Sequence, residues 1–204
     1  MKDAGLDPAL AVAVVPNAAT AHLAVTQTAR MRDGERVLVH GALGGLAVGF
    51  PGIARQLGAS RVVGTVRASD LGAGRQTKLP YDEIIDSAEL PARLAGKRFD
   101  IVIDLVGGSV RTASVGLLAP MERLLPVGNA SGDWHQIDSN RIWLGNLAVH
   151  GFSVGFFLPR YKDLARPALQ LRSVPRPPAS PRPTSRRFPS PTRQWRMHGW
   201  RTTR

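Results

Sequence analysis

The sequence predicts a doubly wound α/β domain with a parallel sheet of about six strands, followed by a disordered basic tail. Short apolar runs recur through the chain as far as Val154, and stretches of helical character separate them. One run, VLVHGALGGLA from Val37 to Ala47, breaks into a glycine-rich turn. Beyond Leu171 the pattern stops, and arginine and proline take over.

The first run supplies a strand and then a turn whose glycines let the backbone approach an anion that side chains would hold off. A lone glycine-rich turn is weak evidence, the alternative being a bend with no ligand, and the surrounding segments carry the reading. Gly52 to Leu57 reads as the helix that follows. A second strand, VVGTV at Val62 to Val66, comes about twenty residues later, the repeat distance of a βαβ unit. DEIID (Asp82 to Asp86), FDIVIDLV (Phe99 to Val106), RLLPVG (Arg123 to Gly128) and LAVHGFSV (Leu147 to Val154) extend the series. They are β-branched or Leu-rich and bounded by Gly, Asp or Asn, as strands buried on both faces should be. Glu89 to Ala95 and Val110 to Leu118 fill the helical places between them. Such a sheet places a ligand crevice at the carboxyl ends of its strands.

Two prolines work against the pattern. Pro51 falls inside the helix expected after the glycine turn, where a proline costs about 3 kcal/mol or more, so a kink or a late helix start is expected. Pro126 is expected to interrupt a fifth strand that should be hydrogen-bonded on both sides.

Length and composition suit one domain with one sizeable core: 204 residues, 43% of them hydrophobic. We divide the chain into a lead-in helical segment (1–30), a dinucleotide-binding domain (31–171) and the tail (172–204). No run reaches the roughly 18 to 20 apolar residues of a membrane span, and MKDAGLDPALAVAVVP sets two Asp before its short apolar stretch, so a cytoplasmic protein is expected. There is no Cys, which excludes disulfides and thiolate zinc sites. The five His are scattered, and no metal is expected. His22, His40 and His150 sit in or beside apolar segments and read as structural.

The tail carries nine Arg, no Lys, no Asp and no Glu, and so holds +9 of the formal +12. It also contains seven of the sixteen Pro. Disorder is expected from about Ser173 onward. The tail could grip nucleic acid through counterion release, with Trp195 and Trp200 for stacking, or it could be a solvated linker. Nine Arg without one Lys favours a third reading, out-of-frame translation of a GC-rich gene, and a nucleic-acid partner is not expected.

Taken in order, VVPNAATAHLAV (Val14 to Val25), RDGERVLVHGALGGL, LPYDEIIDSAELPARL, FDIVIDLVGG and LLPVGNASG resemble the cofactor domain of zinc-independent medium-chain dehydrogenases of the quinone oxidoreductase, or zeta-crystallin-like, type. The resemblance covers about residues 5 to 171. It implies a Rossmann domain that binds NADPH, from which hydride passes to a small-molecule electrophile such as a quinone or enone. It places the pyrophosphate turn at Ala42, Leu43, Gly44, Gly45, Leu46 and Ala47, with Ala47 standing where relatives usually have Gly. It sets Val106 and Gly107 beside the adenosine half, and Thr20, Gly128, Asn129, Ala130 and Ser131 near the nicotinamide, with Asn129 orienting its carboxamide. The run GNASG also reads as an ordinary turn.

The cofactor choice rests on the end of the second strand. An NAD site places a carboxylate there for the ribose hydroxyls, and that carboxylate would repel a 2′-phosphate. Here the sequence is TVRASD, so Arg67 takes that place and the first acid is Asp70. NADPH is therefore expected over NADH, with Thr65 and Ser69 adding hydrogen bonds; the alternative is an ordinary exposed Arg67. Leu71 and Ser87 stand where many relatives carry Lys and Tyr, and Glu122 where they carry Gly.

Relatives precede this domain with a catalytic domain that forms the other wall of the substrate cleft. The resemblance thus implies a truncated chain that is weakly active or inactive alone, and no catalytic residue is assigned. A non-catalytic NADPH sensor or partner subunit is the alternative. Relatives also pair sheet edges through the sixth strand, which makes LAVHGFSV a homodimer contact by resemblance.

Overall fold

Val37 and Val39 bury into one apolar cluster and Leu38 into another, and the same division separates Val62 from Val63, Ile101 and Ile103 from Val102, and Leu125 from Leu124. A period of two with both faces apolar is the signature of a parallel strand covered on both sides. In the computed structural model these residues form one sheet; the structure describes residues 8–94, 96, 98–161 and 163. The tail expected at 172–204 lies outside the described residues.

The six strands are β1 (Arg36–His40), β2 (Arg61–Val66), β3 (Glu83–Asp86), β4 (Phe99–Asp104), β5 (Leu118–Pro126) and β6 (Ala148–Val149). All pair in parallel, in the order β3-β2-β1-β4-β5-β6. The chain leaves β3 at one edge and returns at β4 beside β1, so the crossovers change direction between β1 and β4. A crevice opens at such a switch point because the loops on either side diverge. The expected doubly wound α/β fold is the one observed.

One face is covered by α1 (Pro8–Leu23), which runs on into a π-helical turn at Ala24–Thr28, and by α2 (Gly49–Gln56). A Cβ on Gly49 would stand 3.1 Å from the Ala21 Cβ and 3.2 Å from the Asn17 carbonyl oxygen, so this glycine lets α1 and α2 cross at close range. Leu23, Val25, Phe50 and Ile53 fill the space beneath, each such side chain contributing about 1.5–3 kcal/mol on burial. After β2 comes α3 (Leu71–Gln76), and after β3 comes α4 (Leu90–Arg93). Leu90 and Leu94 join Val115, which follows α5 (Gly108–Ser114), on the opposite face. The described chain ends with α6 (Ser139–Gly145) and α7 (Val154–Arg160).

Pro51 causes the late start foreseen for its helix. Residues 41–48 form turns, α2 begins only at Gly49, and Pro51 sits in its first turn, where the missing N–H had no intrahelical acceptor to lose. Pro126 does not interrupt β5. It is the last residue of that strand, opposite Asp104, and its carbonyl accepts from the Phe152 N–H at 2.9 Å. β5 also begins earlier than expected, at Leu118, with an irregular register between Phe99 and Ile101. The residue beside Glu122, Met121, takes a left-handed backbone with φ of 72°. LAVHGFSV yields only a two-residue strand, Ala148–Val149, although the N–H groups of His150 and Phe152 still donate to the Leu124 and Pro126 carbonyls, both at 2.9 Å. No helix among the described residues is long and apolar enough to cross a membrane.

Candidate functional site

At the carboxyl ends of β1, β2, β4 and β5 lies a cleft of about 1130 Å³. The Gly41 to Ala47 turn, apart from Ala42, forms one wall, Leu105, Val106 and Gly128 to Ser131 the other, and Val66, Arg67, Asp70 and Ala73 the far rim. It exceeds the roughly 300–1,000 Å³ usual for a small-molecule site, as an extended ligand requires.

The glycine turn is anchored from below. The Ala42 N–H donates to the Thr65 carbonyl at 2.8 Å, and the Tyr81 hydroxyl donates to the Ala42 carbonyl at 3.2 Å. Burial pushes the Tyr81 hydroxyl well above its ordinary pKa, so it stays a donor. Gly64 makes this close layering feasible, since a Cβ there would stand 2.7 Å from the Ala42 Cβ and 3.1 Å from the Tyr81 ring. Above the anchor, the N–H groups of Gly45, Leu46 and Ala47 find no backbone acceptor among the described residues, and all three residues line the cleft.

Beneath the same turn His40 is fully buried between Thr65 Oγ1 and Ser114 Oγ, each 2.9 Å from a ring nitrogen. Ser114 donates its hydroxyl hydrogen to the Val110 carbonyl at 2.7 Å, so it must accept from His40 Nε2, and Thr65 donates to Nδ1. The ring is thus the neutral Nε2–H tautomer. Burial pulls its pKa down to about 4, against a smaller upward pull from Asp104. His40 is structural, as its apolar setting in the sequence implied.

The opposite wall is organised by Asp104, the last residue of β4. Its Oδ1 accepts from the N–H groups of Val106 and Gly107, both at 2.9 Å, and its Oδ2 accepts from Arg111 Nε at 2.5 Å. The Arg111 guanidinium also donates to the Gly128 carbonyl. The loop after β5 is further tied to the loop after β4 by Ala130 N–H to the Leu105 carbonyl and Ser131 N–H to the Val106 carbonyl, at 3.0 and 2.8 Å. One carboxylate and one guanidinium therefore fix both loops of this wall. Neither was foreseen from the sequence; an Asp closing a strand just before a Gly pair was the available signal.

Of the thirteen residues expected at the cofactor, Gly44, Gly45, Leu46, Arg67, Val106, Gly128, Asn129 and Ser131 line the cleft. Five others do not. Thr20 is buried in α1 with its hydroxyl on the Pro16 carbonyl, Ala42 lies under the turn, and Thr65 points inward to His40. Ser69 is exposed beside Asp70, and Gly107, with φ of 80°, leaves room for the Asn129 side chain, whose Oδ1 a Cβ there would approach to 1.8 Å. Asp70 and Ala73 line the rim unforeseen as site residues. Among the described residues, Arg67 and Asp70 are the only charged ones of the lining, joined at 2.9 Å.

The lining fits a dinucleotide. It includes backbone N–H groups without a backbone acceptor among the described residues, suited to a pyrophosphate, a guanidinium at the rim where the adenosine ribose would lie, and Asn129 on the opposite wall. Among the described residues no group of three or more His, Asp or Glu is placed to hold a metal ion.

Residues 42–171 match the zinc-binding dehydrogenase family. The quinone oxidoreductase of Thermus thermophilus, solved also with NADPH, superposes with a TM-score of 0.69 at 34% identity over 82% of this chain and 54% of that one. The quinone oxidoreductase of Pseudomonas aeruginosa is 32% identical over 63% of this chain and 41% of its own length. A mycocerosic acid synthase-like polyketide synthase of Mycobacterium tuberculosis is 34% identical over 74% of this chain and 7% of its own length. The chain thus spans about half the length of either quinone oxidoreductase, or less. It belongs to the zinc-binding dehydrogenase family, as the cofactor-binding domain of a medium-chain dehydrogenase/reductase of the quinone oxidoreductase type.

Proposed function

We propose that this chain is the NADPH-binding part of an oxidoreductase that delivers hydride to a small electrophile, a quinone or an activated carbon–carbon double bond. The observation that carries the proposal is the cleft itself, with N–H groups that lack a backbone acceptor among the described residues on one wall, a hydrogen-bonded loop on the other and Arg67 at the rim. NADPH, when bound, supplies the hydride from C4 of its nicotinamide. The protein supplies position: Gly45 to Ala47 hold the pyrophosphate, Arg67 attracts a 2′-phosphate, and Asn129 orients the carboxamide so that one ring face meets the substrate. The Asp104–Arg111 pair keeps the Asn129 loop fixed while this happens.

β6 is the last strand of the sheet, and a second copy of the chain adding to it would give the homodimer that the resemblance implies. Sedimentation across a concentration series tests that contact, and a monomer at every concentration contradicts it.

The cofactor reading is tested by titrating NADPH into the full chain and following nicotinamide fluorescence, beside Gly45→Val. A Cβ on Gly45 meets nothing closer than Asn17 Nδ2 at 4.0 Å, so the fold accommodates it. Saturable binding that this change weakens at least about tenfold supports the proposal. Absence of binding, or binding that Gly45→Val leaves unchanged, overturns it.

A further inference from the structure

At the amino ends of β1 and β4, the opposite end of the sheet from the cleft, Arg123 is surrounded by acceptors. Its Nε donates to the Ala29 carbonyl at 2.5 Å, one terminal nitrogen to the Asp100 carbonyl at 3.3 Å and to Glu122 Oε2, and the other to Glu35 Oε2 at 2.7 Å and the Arg30 carbonyl at 3.4 Å. A guanidinium has five N–H groups, so none is left over. Beside it Arg36 holds Asp100 through Nε at 3.0 Å and a terminal nitrogen at 2.9 Å. The side chains of Glu35, Asp100 and Glu122 are 11%, 17% and 23% exposed, so three carboxylates share two guanidinium groups largely away from bulk water.

Glu122 joins this cluster because β5 is irregular. Neighbours in a regular strand point to opposite faces, yet Glu122 and Arg123 meet. Phe99 pairs with Leu118 and Ile101 with Arg123, so residues 119–122 bulge opposite Asp100, and the left-handed Met121 lies within that bulge. Arg30, whose carbonyl Arg123 holds, is left-handed too, with φ of 50°. Backbone strain of this kind persists only where surrounding contacts enforce it, and both residues adjoin one guanidinium.

We propose that Glu122, Glu35 and Arg123 form an acid-closed clamp that fastens the end of the lead-in segment to the base of the sheet. With all three carboxylates ionised the cluster carries one negative charge in excess, and Glu122 competes with Glu35 for the same guanidinium. A proton on Glu122 removes the excess and leaves Arg123 to Glu35 and to the Ala29 and Arg30 carbonyls, so the joint tightens. Burial holds the Glu122 carboxyl above its ordinary value against the pull of Arg123, and Glu35 and Asp100 add to the effect. The clamp's contribution is therefore complete below the ordinary glutamate value and is lost as pH rises through the raised one. Arg36 also lies within reach of the Glu122 charge. His22 in α1 and His150, whose Nδ1 is 3.2 Å from the Thr28 carbonyl, sit in or against the lead-in segment and stay unchanged in the variants compared.

The test compares hydrogen exchange of the full chain and of Glu122→Gln by NMR at pH 7 and pH 5, as protection factors corrected for intrinsic rates. The Ala29 and Met31 amides, which donate to the Ala24 and Val25 carbonyls, report on the joint. Glu122→Gln keeps the acceptor for Arg123 without the charge, so at pH 7 it should protect these amides roughly threefold or more better than the parent, a gap that shrinks at pH 5. In a carbon-detected titration the parent's Glu122 carboxyl should have its midpoint above the ordinary glutamate value, and Glu35→Gln should lower that midpoint. Equal protection in the two proteins at pH 7, a gap that does not change with pH, or a Glu122 midpoint that Glu35→Gln leaves in place would each overturn the clamp.

Discussion

Arg111 donates through Nε to Asp104 Oδ2 at 2.5 Å, with only 16% of the arginine side chain and none of the aspartate exposed to solvent. Seven residues apart in sequence, the two join the end of β4 to α5, and the same guanidinium reaches the Gly128 carbonyl beyond β5. The wall of the cleft opposite the glycine turn is therefore built on one buried ion pair.

Removing one member of that pair strands the other away from water, at a cost of about 3–5 kcal/mol. Arg111→Met is thus expected to lower the urea midpoint strongly and to weaken NADPH binding as well, since the Gly128–Ser131 loop loses its tie. Equilibrium denaturation with and without NADPH checks both effects. An unaltered midpoint would show that the ion pair has no structural role.

The neutral, buried His40 ties stability to acid. Its pKa in the folded protein is about 4 against 6.5 when unfolded, so between those values the unfolded chain binds the extra proton. The contribution is complete above pH 6.5 and is lost as pH falls toward 4, about 3 kcal/mol in all. Urea unfolding at pH 7 and pH 4.5 should show a larger loss for the parent than for His40→Gln. His22, also pulled down by its partial burial, adds a loss of the same sign to both proteins and cancels in the comparison.

Backbone demands yield a pair of opposite predictions. Gly64→Ala forces a methyl against the Ala42 Cβ and the Tyr81 ring and is expected to destabilise by about 1–3 kcal/mol. Met121→Gly relieves a left-handed backbone at a side chain that is 72% exposed, and is expected to stabilise by about 1 kcal/mol. Thermal melts of the two variants should shift in opposite directions.

The sheet was legible because its strands are apolar on both faces; Val37 to Val39, Val62 to Val66 and Ile101 to Ile103 allow no other period or burial. The glycine turn was legible for a different reason, since only a backbone that must approach a neighbour or a ligand tolerates glycines so closely spaced. Side-chain direction at the strand ends was not legible. Thr65 and Arg67 share the end of β2, yet one is buried against His40 and the other stands at the rim, a difference set by where the strand gives way to the 3₁₀ turn. The Asp104–Arg111–Gly128 tie was hidden because no local pattern links a strand end, a helix turn and a loop 17 residues further on. The brevity of β6 was hidden too, since LAVHGFSV is apolar well beyond the two residues that pair.

The most direct test of the account is an NMR titration of the isotope-labelled full chain with NADPH. The amides of Gly44 to Ala47 on one wall and Gly128 to Ser131 on the other should shift together and saturate at one concentration, with Arg67 following and α6 unmoved. Shifts centred elsewhere, or none at saturating NADPH, would contradict the assignment of this cleft as the cofactor site.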